Sequence, residues 1–457
     1  MPAYGFQQIS EPGEDDVATE SLQDRASLDS TIADVRRPSN ARRRTLIAGA
    51  IGNAIEQYDF FIYGFIGPLV FDQLFFPKFD QLTATLAVFA TFAVGFVARP
   101  LGGLVFGHFG DRSGRRSVLL CTLLLMGAAT TLIGILPTYA SWGGTATVAL
   151  VVLRFIQGFA LGGEWTAANL MALETSADDK RGFSAAVIQA GGPIGVVLAS
   201  FSAVAISHLP AADLLSWGWR APFLVSAILV VIGMYIRLRI EESSAFLQVS
   251  ETAKVPALEA VGSHWRQTLV VLFAEIAQTS YFYLTAIFTI SFATRQLGVA
   301  KDVITQAVLL ANLVALVAIP SIGAWSDKVG RKRLFVAGVV LAAISMLGFY
   351  HLVATRETLL VTIPVVLAAG IIHPLMFATE GSYFPELFPT RIRFTGVSIG
   401  KQFGVVLGGG IAPLVATSLF AATGTTVAIT GYYIVLALAA LVALSFVRDT
   451  SKSRLMD

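Results

Sequence analysis

A single cysteine in 457 residues, Cys121, leaves no disulfide framework to build. The chain also has no His-Glu-x-x-His, no Walker loop and no cysteine-rich metal spacing, and its Gly-x-Ser-x-Gly match, Gly396-Val-Ser-Ile-Gly400, falls inside an apolar run and not in a strand-to-helix turn. Nothing in it assembles a nucleophile, a phosphate cradle or a catalytic metal, which argues against an enzyme and against an ATP-driven pump. Charge is scarce as well. Only 14% of the residues are Asp, Glu, Lys or Arg, against 55% hydrophobic, and the mean hydropathy of +0.71 is far too high for a soluble domain of this length. The chain belongs in a bilayer. Its net charge of +2 says nothing about partners by itself, because placement matters more than the sum; no nucleic-acid partner is expected.

What the sequence has instead is apolar runs. A helix needs roughly 20 apolar residues to cross about 30 Å of hydrocarbon. Crossings are predicted near 45–70, 81–106, 117–136, 146–173, 183–207, 221–240, 268–293, 303–325, 334–354, 361–385, 394–420 and 427–447. Of the 32 Lys and Arg, 24 fall in the two tails and every second loop, five in the opposite loops, and three (Arg99, Arg154, Lys401) inside crossings. That alternation places both termini in the cytoplasm. Residues 1–44 begin acidic and end basic, with too little apolar content to pack, and read as a disordered tail. Residues 241–267, opening Glu241-Glu242 and broken by Pro256, read as a linker between halves at 45–240 and 268–447, with 448–457 a second tail.

The halves repeat one another. Gly107, Asp111, Arg112, Gly114, Arg115 and Arg116 in the turn after the second run return as Gly323, Asp327, Lys328, Gly330, Arg331 and Lys332 after the eighth, 216 residues later. Glu174 and Arg181 return as Glu386 and Arg393, 212 residues later. Duplicated six-helix halves are the build of a secondary transporter. The charged turns read as gate hardware: Asp111 beside a helix end, Gly114 permitting a tight turn, and Arg112, Arg115 and Arg116 placed to pair with acids of the other half such as Glu386, with Arg391 and Arg393 at the matching end. As surface pairs they would contribute about 0–1 kcal/mol each, enough to bias one state reversibly.

These two turns resemble the signature of the major facilitator superfamily. Glu56-Gln-Tyr-Asp-Phe-Phe-Ile-Tyr-Gly64, Arg99-Pro-Leu-Gly-Gly103, Arg154-Phe-Ile-Gln-Gly-Phe-Ala-Leu-Gly-Gly-Glu164-Trp165, Trp217-Gly-Trp-Arg-Ala-Pro-Phe223 and Pro385-Glu-Leu-Phe-Pro-Thr-Arg391-Ile-Arg393 together resemble its metabolite:proton symporter family. Within that family, Phe89-Ala-Thr-Phe-Ala-Val-Gly-Phe96, Gly107-His-Phe-Gly-Asp111 and Gly134-Ile-Leu-Pro137 most resemble the shikimate-permease-like branch. The resemblance implies twelve transmembrane helices in two halves, no cofactor beyond a proton gradient, and a bacterial inner-membrane protein acting as a monomer on a small organic acid and H+. Gln57, where the family usually has Trp, and Lys401, where it usually has an uncharged residue, depart from the pattern.

Charged residues at bilayer depth cost about 2.5–3.5 kcal/mol each on insertion scales, so each is a functional candidate. Glu56, Asp59 and Tyr63 share one helix face, with Glu56 about 17 Å from the cytoplasmic end. Either the repulsion between Glu56 and Asp59 makes one of them a proton acceptor, or one is locked in an ion pair with a neighbouring helix; Asp59 or Glu164 is expected to be the main proton carrier. Arg154, Gln157 and Glu164 form a second inward stripe. Arg154-x-x-Gln-Gly resembles a proton-coupling motif, and the alternative is a permanent pair of Arg154 with Asp59 or Glu164. In the second half the candidates are Glu275, Gln278, Tyr281, His373, Glu380, Lys401 and Gln402, with Lys401 and Arg99 either facing a ligand or snorkelling to the interface. His373 stands before Pro374, where a broken helix frees carbonyls for a site, or it is a satisfied structural histidine. The excess of acids (Glu56, Asp59, Glu164, Glu275, Glu380) over bases favours proton coupling. Arg154 and Lys401, one from each half, are expected to clamp a carboxylate substrate. A zwitterionic osmolyte held by cation–π contacts from Tyr58, Tyr63, Tyr281 or Tyr283 is the second reading, and a transporter-like sensor the third.

Overall fold

The computed structural model describes residues 38–239 and 256–451; most of the expected N-tail and linker, and the last residues of the C-tail, lie outside them. Twelve long helices follow one another: α1 (Pro38–Phe75), α2 (Gln81–Ser113), α3 (Arg115–Ile135), α4 (Gly144–Glu174), α5 (Arg181–Ser207), α6 (Ala211–Arg237), α7 (Trp265–Arg295), α8 (Lys301–Val329), α9 (Arg331–Ala354), α10 (Thr358–Glu386), α11 (Thr390–Thr423) and α12 (Val427–Ser445). Eleven are long and apolar enough to cross a membrane. The one that falls short is α1, because Asn53, Glu56, Gln57 and Asp59 interrupt its middle. The polar residues that dilute its hydropathy are the ones with chemistry to do.

Large apolar side chains cover the outside. Phe201, Val231, Val317 and Phe446 are each about 70% exposed (71%, 69%, 70% and 69%), an arrangement water would punish and lipid accepts. Inside, glycines let backbones meet. A Cβ on Gly102 would strike the Phe159 carbonyl, on Gly158 the Gly95 carbonyl, and on Gly162 the Arg99 carbonyl, so α2 and α4 pack main chain to main chain. In the second half Gly400, Gly404 and Gly408 do the same for α11 against α7.

The second half is locally unwound beside the bundle centre. Wide π-turns occupy Tyr283–Phe288 in α7, Ala368–Ile372 in α10 and Val406–Ile411 in α11. The expected break at His373-Pro374 takes this form: the π-turn ends at Ile372, and Pro374 opens the next helical segment where its missing N–H costs nothing.

Candidate functional site

The repeated turns build a double latch at one end of the bundle. Gly114 (φ 96°) and Gly330 (φ 114°) turn the chain through a region closed to other residues, which sets Arg115 and Arg331 at the starts of α3 and α9. Asp111 reaches across to the other half, accepting the backbone N–H of Phe394 (3.1 Å) and Thr395 (3.0 Å) and the Thr395 hydroxyl (2.7 Å) at the start of α11. Asp327 answers from the second half, accepting the N–H of Gly182 (2.8 Å) and Phe183 (3.0 Å) at the start of α5. Each aspartate thus caps the N-terminus of a helix in the opposite half, where unpaired N–H groups and the helix dipole favour a negative charge. Glycine permits the approach: a Cβ on Gly182 or Gly323 would collide across this contact, and one on Gly107 or Gly110 would meet Thr395 or the Phe394 ring.

Behind each aspartate lies a shared carboxylate. Glu174 takes Arg115 of its own half at 3.3 Å and Arg393 of the other at 3.5 Å. Glu386 takes Arg331 of its own half at 2.8 Å and Arg181 of the other at 3.7 Å. All six side chains are buried, so these are not the surface pairs expected. Arg115 meets Glu174 and the Thr390 carbonyl, and Arg181 reaches Glu386 from the first half. Arg112 and Lys328 are exposed, Arg116 donates to the Leu238 carbonyl (2.8 Å), and Arg391 makes a half-exposed pair with Glu259.

A second cluster is sealed inside the first half. Glu56 and Glu164 both pair with Arg237, Glu56 at 3.3 Å, and Glu164 also accepts the Thr122 hydroxyl. Arg237 is 2% exposed, although its place near the end of the sixth apolar run made it read as a loop cation. Arg154 pairs with neither Asp59 nor Glu164. Its guanidinium lies 4.1 Å from the Tyr63 ring centroid and 4.9 Å from that of Phe60, and it donates to Gln157 (2.7 Å), which donates to the Thr130 hydroxyl (2.7 Å). Asp59 is fully buried with Thr130 and Ser226 as polar neighbours, and neither of its oxygens accepts a well-formed hydrogen bond.

Between the halves lies a cavity of about 170 Å³, well below the roughly 300–1,000 Å³ of sites for drug-sized ligands, and so suited to a small metabolite. Its walls come from α1, α2, α4 and α5 on one side and α7, α8, α10 and α11 on the other. Of the sequence candidates, Arg99, Glu275, Gln278, His373, Lys401 and Gln402 line it; Tyr63, Arg154, Gln157 and Tyr281 do not. Tyr63 lies under Arg154, and Tyr281 packs on Tyr433 and bonds Ser345. The expected Arg154–Lys401 clamp therefore is not formed: Arg154 sits away from the cavity inside the first half, its Nε and one Nη without a hydrogen-bond partner, and Lys401 binds Glu380 at 2.8 Å and Glu275 at 3.0 Å. Arg99 stands differently. It opens partly onto the cavity with the Phe60 and Phe96 rings at 4.5 and 4.6 Å, and among the described residues no carboxylate pairs with it. His373 meets Gln278 at 2.6 Å between Phe282 and Phe377.

A family profile described as "Sugar (and other) transporter" matches residues 45–263, and one described as "Major Facilitator Superfamily" matches residues 270–455. The shikimate transporter of Escherichia coli (strain K12) is 34% identical over 403 residues, covering 86% of this chain and 92% of its own. The chain belongs to the major facilitator superfamily. The inner membrane metabolite transport protein YhjE of the same organism is 37% identical over 391 residues (84% and 89% covered), and the proline/betaine transporter of Salmonella typhimurium 30% over 422 (90% and 84%). Among solved structures the proton:xylose symporter XylE superposes with a TM-score of 0.76 over 91% of this chain and 98% of its own, at 17% identity, a likeness of fold. As a facilitator the chain is a multi-pass membrane transporter of small molecules and not an enzyme.

Sequence reasoning missed Arg237, Gln189, Trp165, Glu174 and Arg181 as site residues. Glu174 and Arg181 carried a usable signal, their return as Glu386 and Arg393.

For this facilitator, Asp111→Asn is expected to slow transport, because the amide loses the charge that caps α11 and turns an N–H toward two N–H donors. Substrate affinity should move by less than about tenfold, roughly 1.4 kcal/mol, since Asp111 does not line the cavity. Initial-rate uptake read as maximum velocity against half-saturation checks this; a large loss of affinity at unchanged velocity would contradict it.

Proposed function

We propose that the protein imports a small organic acid together with a proton across the bacterial inner membrane by alternating access. The observation that carries this is Arg99, a guanidinium opening onto the central cavity with aromatic rings beside it and no carboxylate partner among the described residues. A planar fork that is always charged suits a carboxylate. The shikimate transporter among the relatives supports an acid. The buried acids support the proton: Asp59 lies in the first half with no cation paired to it among the described residues, at the end of the Thr130–Gln157–Arg154 chain. The excess of cations in alternate loops supports an orientation with both termini, and so the latched end, in the cytoplasm. The latched state is then the one open to the outside.

A second reading has one observation of its own. Glu275 lines the same cavity as Arg99, so the walls offer both signs, as a zwitterion requires; proline/betaine transporters stand among the relatives. Of the tyrosines considered for cation–π contact only Tyr283 lines the cavity. Uptake of labelled shikimate, α-ketoglutarate, citrate, proline and betaine into proteoliposomes, with and without a protonophore, tests both. Accumulation of an acid that collapses with the pH gradient is expected. Accumulation that survives the protonophore, or follows Na+, overturns the proton, and accumulation of only proline or betaine favours the second reading.

A further inference from the structure

The ion cluster on the second-half wall is joined to the first half by a closed ring of contacts. Lys401 on α11 donates to Glu380 on α10 and to Glu275 on α7, and its ammonium sits 3.8 Å from the ring centroid of Trp165 on α4. The Trp165 indole donates to Gln189 on α5 (2.7 Å), and the Gln189 amide donates to the Phe377 carbonyl (2.6 Å) and to the same Glu380 oxygen (3.4 Å). Lys401, Glu380, Gln189 and Trp165 thus form a ring with two members from each half. Unlike the Glu56–Glu164–Arg237 cluster, also two acids and one base, this one reaches the cavity, through Glu275 and Lys401.

The charges do not balance. Two carboxylates share one ammonium, and the second Glu380 oxygen is buried with no hydrogen-bond partner. Glu275 spends its other oxygen on the Thr279 hydroxyl (2.8 Å). The charged or titratable groups facing the cluster from the packed elements are Arg99 of α2, near Glu275, with Tyr283 of α7 and His373 of α10, which faces Lys401. Arg99 lies near enough to feel Glu275 but is not bonded to it. An unpaired charge in this setting is costly, and a single proton removes it.

Resting on the reading of proton-coupled uptake, we propose that Glu275 and Glu380 share one exchangeable proton, and that its arrival frees Lys401 from one carboxylate so that a substrate carboxylate in the cavity can take the vacant place. The proton moves from water in the cavity onto a carboxylate oxygen and leaves by the same route; no other bond is made or broken. Because Lys401 also rests on Trp165 of the other half, proton and substrate both act on a contact between the halves. Coupling then follows from geometry: without the proton, Lys401 is occupied and the anion has one cation fewer to meet.

The test uses the purified full chain. The pH-dependent emission of Trp165 is isolated by subtracting the signal of Trp165→Phe, and it is expected to change from alkaline to acid pH in the wild type and to lose that change in Glu275→Gln and Glu380→Gln. Both amides keep an oxygen for Lys401, so both variants are expected to fold. In proteoliposomes with shikimate as probe, Glu380→Gln is expected to fall to the accumulation reached without a gradient while keeping counterflow, a split that a merely structural role would not give. A Trp165 signal that is flat with pH, or one that titrates alike in both variants, overturns the proposal. If the wild type accumulates shikimate on a proton gradient and both variants do so equally, the cluster is excluded while proton-coupled uptake stands. If the wild type accumulates no acid at all, that reading falls, and the fluorescence titration alone decides whether the cluster binds a proton.

Discussion

Arg237→Ala is expected to destabilise the protein by about 3–5 kcal/mol, because it strips the shared partner from two buried carboxylates. Glu56 is 2% exposed and Glu164 1%, and Arg237 is the cation that reaches both. A loss of that size consumes a large part of a typical folding free energy, so the variant should unfold at a visibly lower temperature in detergent and reach the membrane poorly. Buried ion clusters are often no more stable than apolar replacements of similar volume. The combined change Glu56→Gln, Glu164→Gln and Arg237→Met is therefore expected to regain most of the stability. If the triple variant folds well but fails to transport, the cluster has a working role; if it transports normally, the cluster only joins α1, α4 and α6. A thermal midpoint for Arg237→Ala equal to the wild type would show that water or another group compensates the acids.

Arg99→Ala is expected to weaken binding of the transported acid by about 1.5–3 kcal/mol, the worth of a charge-assisted hydrogen bond, or roughly 10–150-fold in affinity. Arg99→Lys keeps the charge but loses the fork, and should fall between the two. Counterflow at graded substrate concentration reads the affinity without requiring a proton gradient. Unchanged affinity in Arg99→Ala would mean that the guanidinium serves the Phe60 and Phe96 rings alone, and that the carboxylate is met elsewhere.

The repeated turns could be read directly because each needs a particular residue at a particular angle: glycine where φ is positive, an acid at the end of α2 or α8, a base at the next helix start. The helix count followed from length and hydropathy, and even the shortfall of α1 was written in its polar centre. Which charges meet was less legible. Spacing along a helix fixes a face, but it does not say how far the helix is rotated toward its neighbour or what that neighbour presents. Lys401 was visible as a departure from the family pattern, and Glu275 and Glu380 as intramembrane acids, yet their mutual pairing depends on α7, α10 and α11 converging. Arg154 showed the same limit from the other side: its stripe neighbour Gln157 is its partner, while the rings that surround it come from α1 and α2. Arg237 was hidden by its nearness to Arg239, since a long cationic side chain at a helix end can point inward as readily as outward.

The doubly held carboxylates of the latch bear on speed. Glu174 and Glu386 each keep one arginine that moves with them and one that departs with the opposite half. Under the proposed alternating access, neither acid would be left naked in a low-dielectric crevice when the halves part, because each keeps the arginine of its own half. The activation barrier for that opening would then be relieved of the penalty of exposing a bare charge. The turnover of this carrier is accordingly expected to depend more on the two aspartates, whose helix-capping contacts all lie across the halves, than on the visiting arginines.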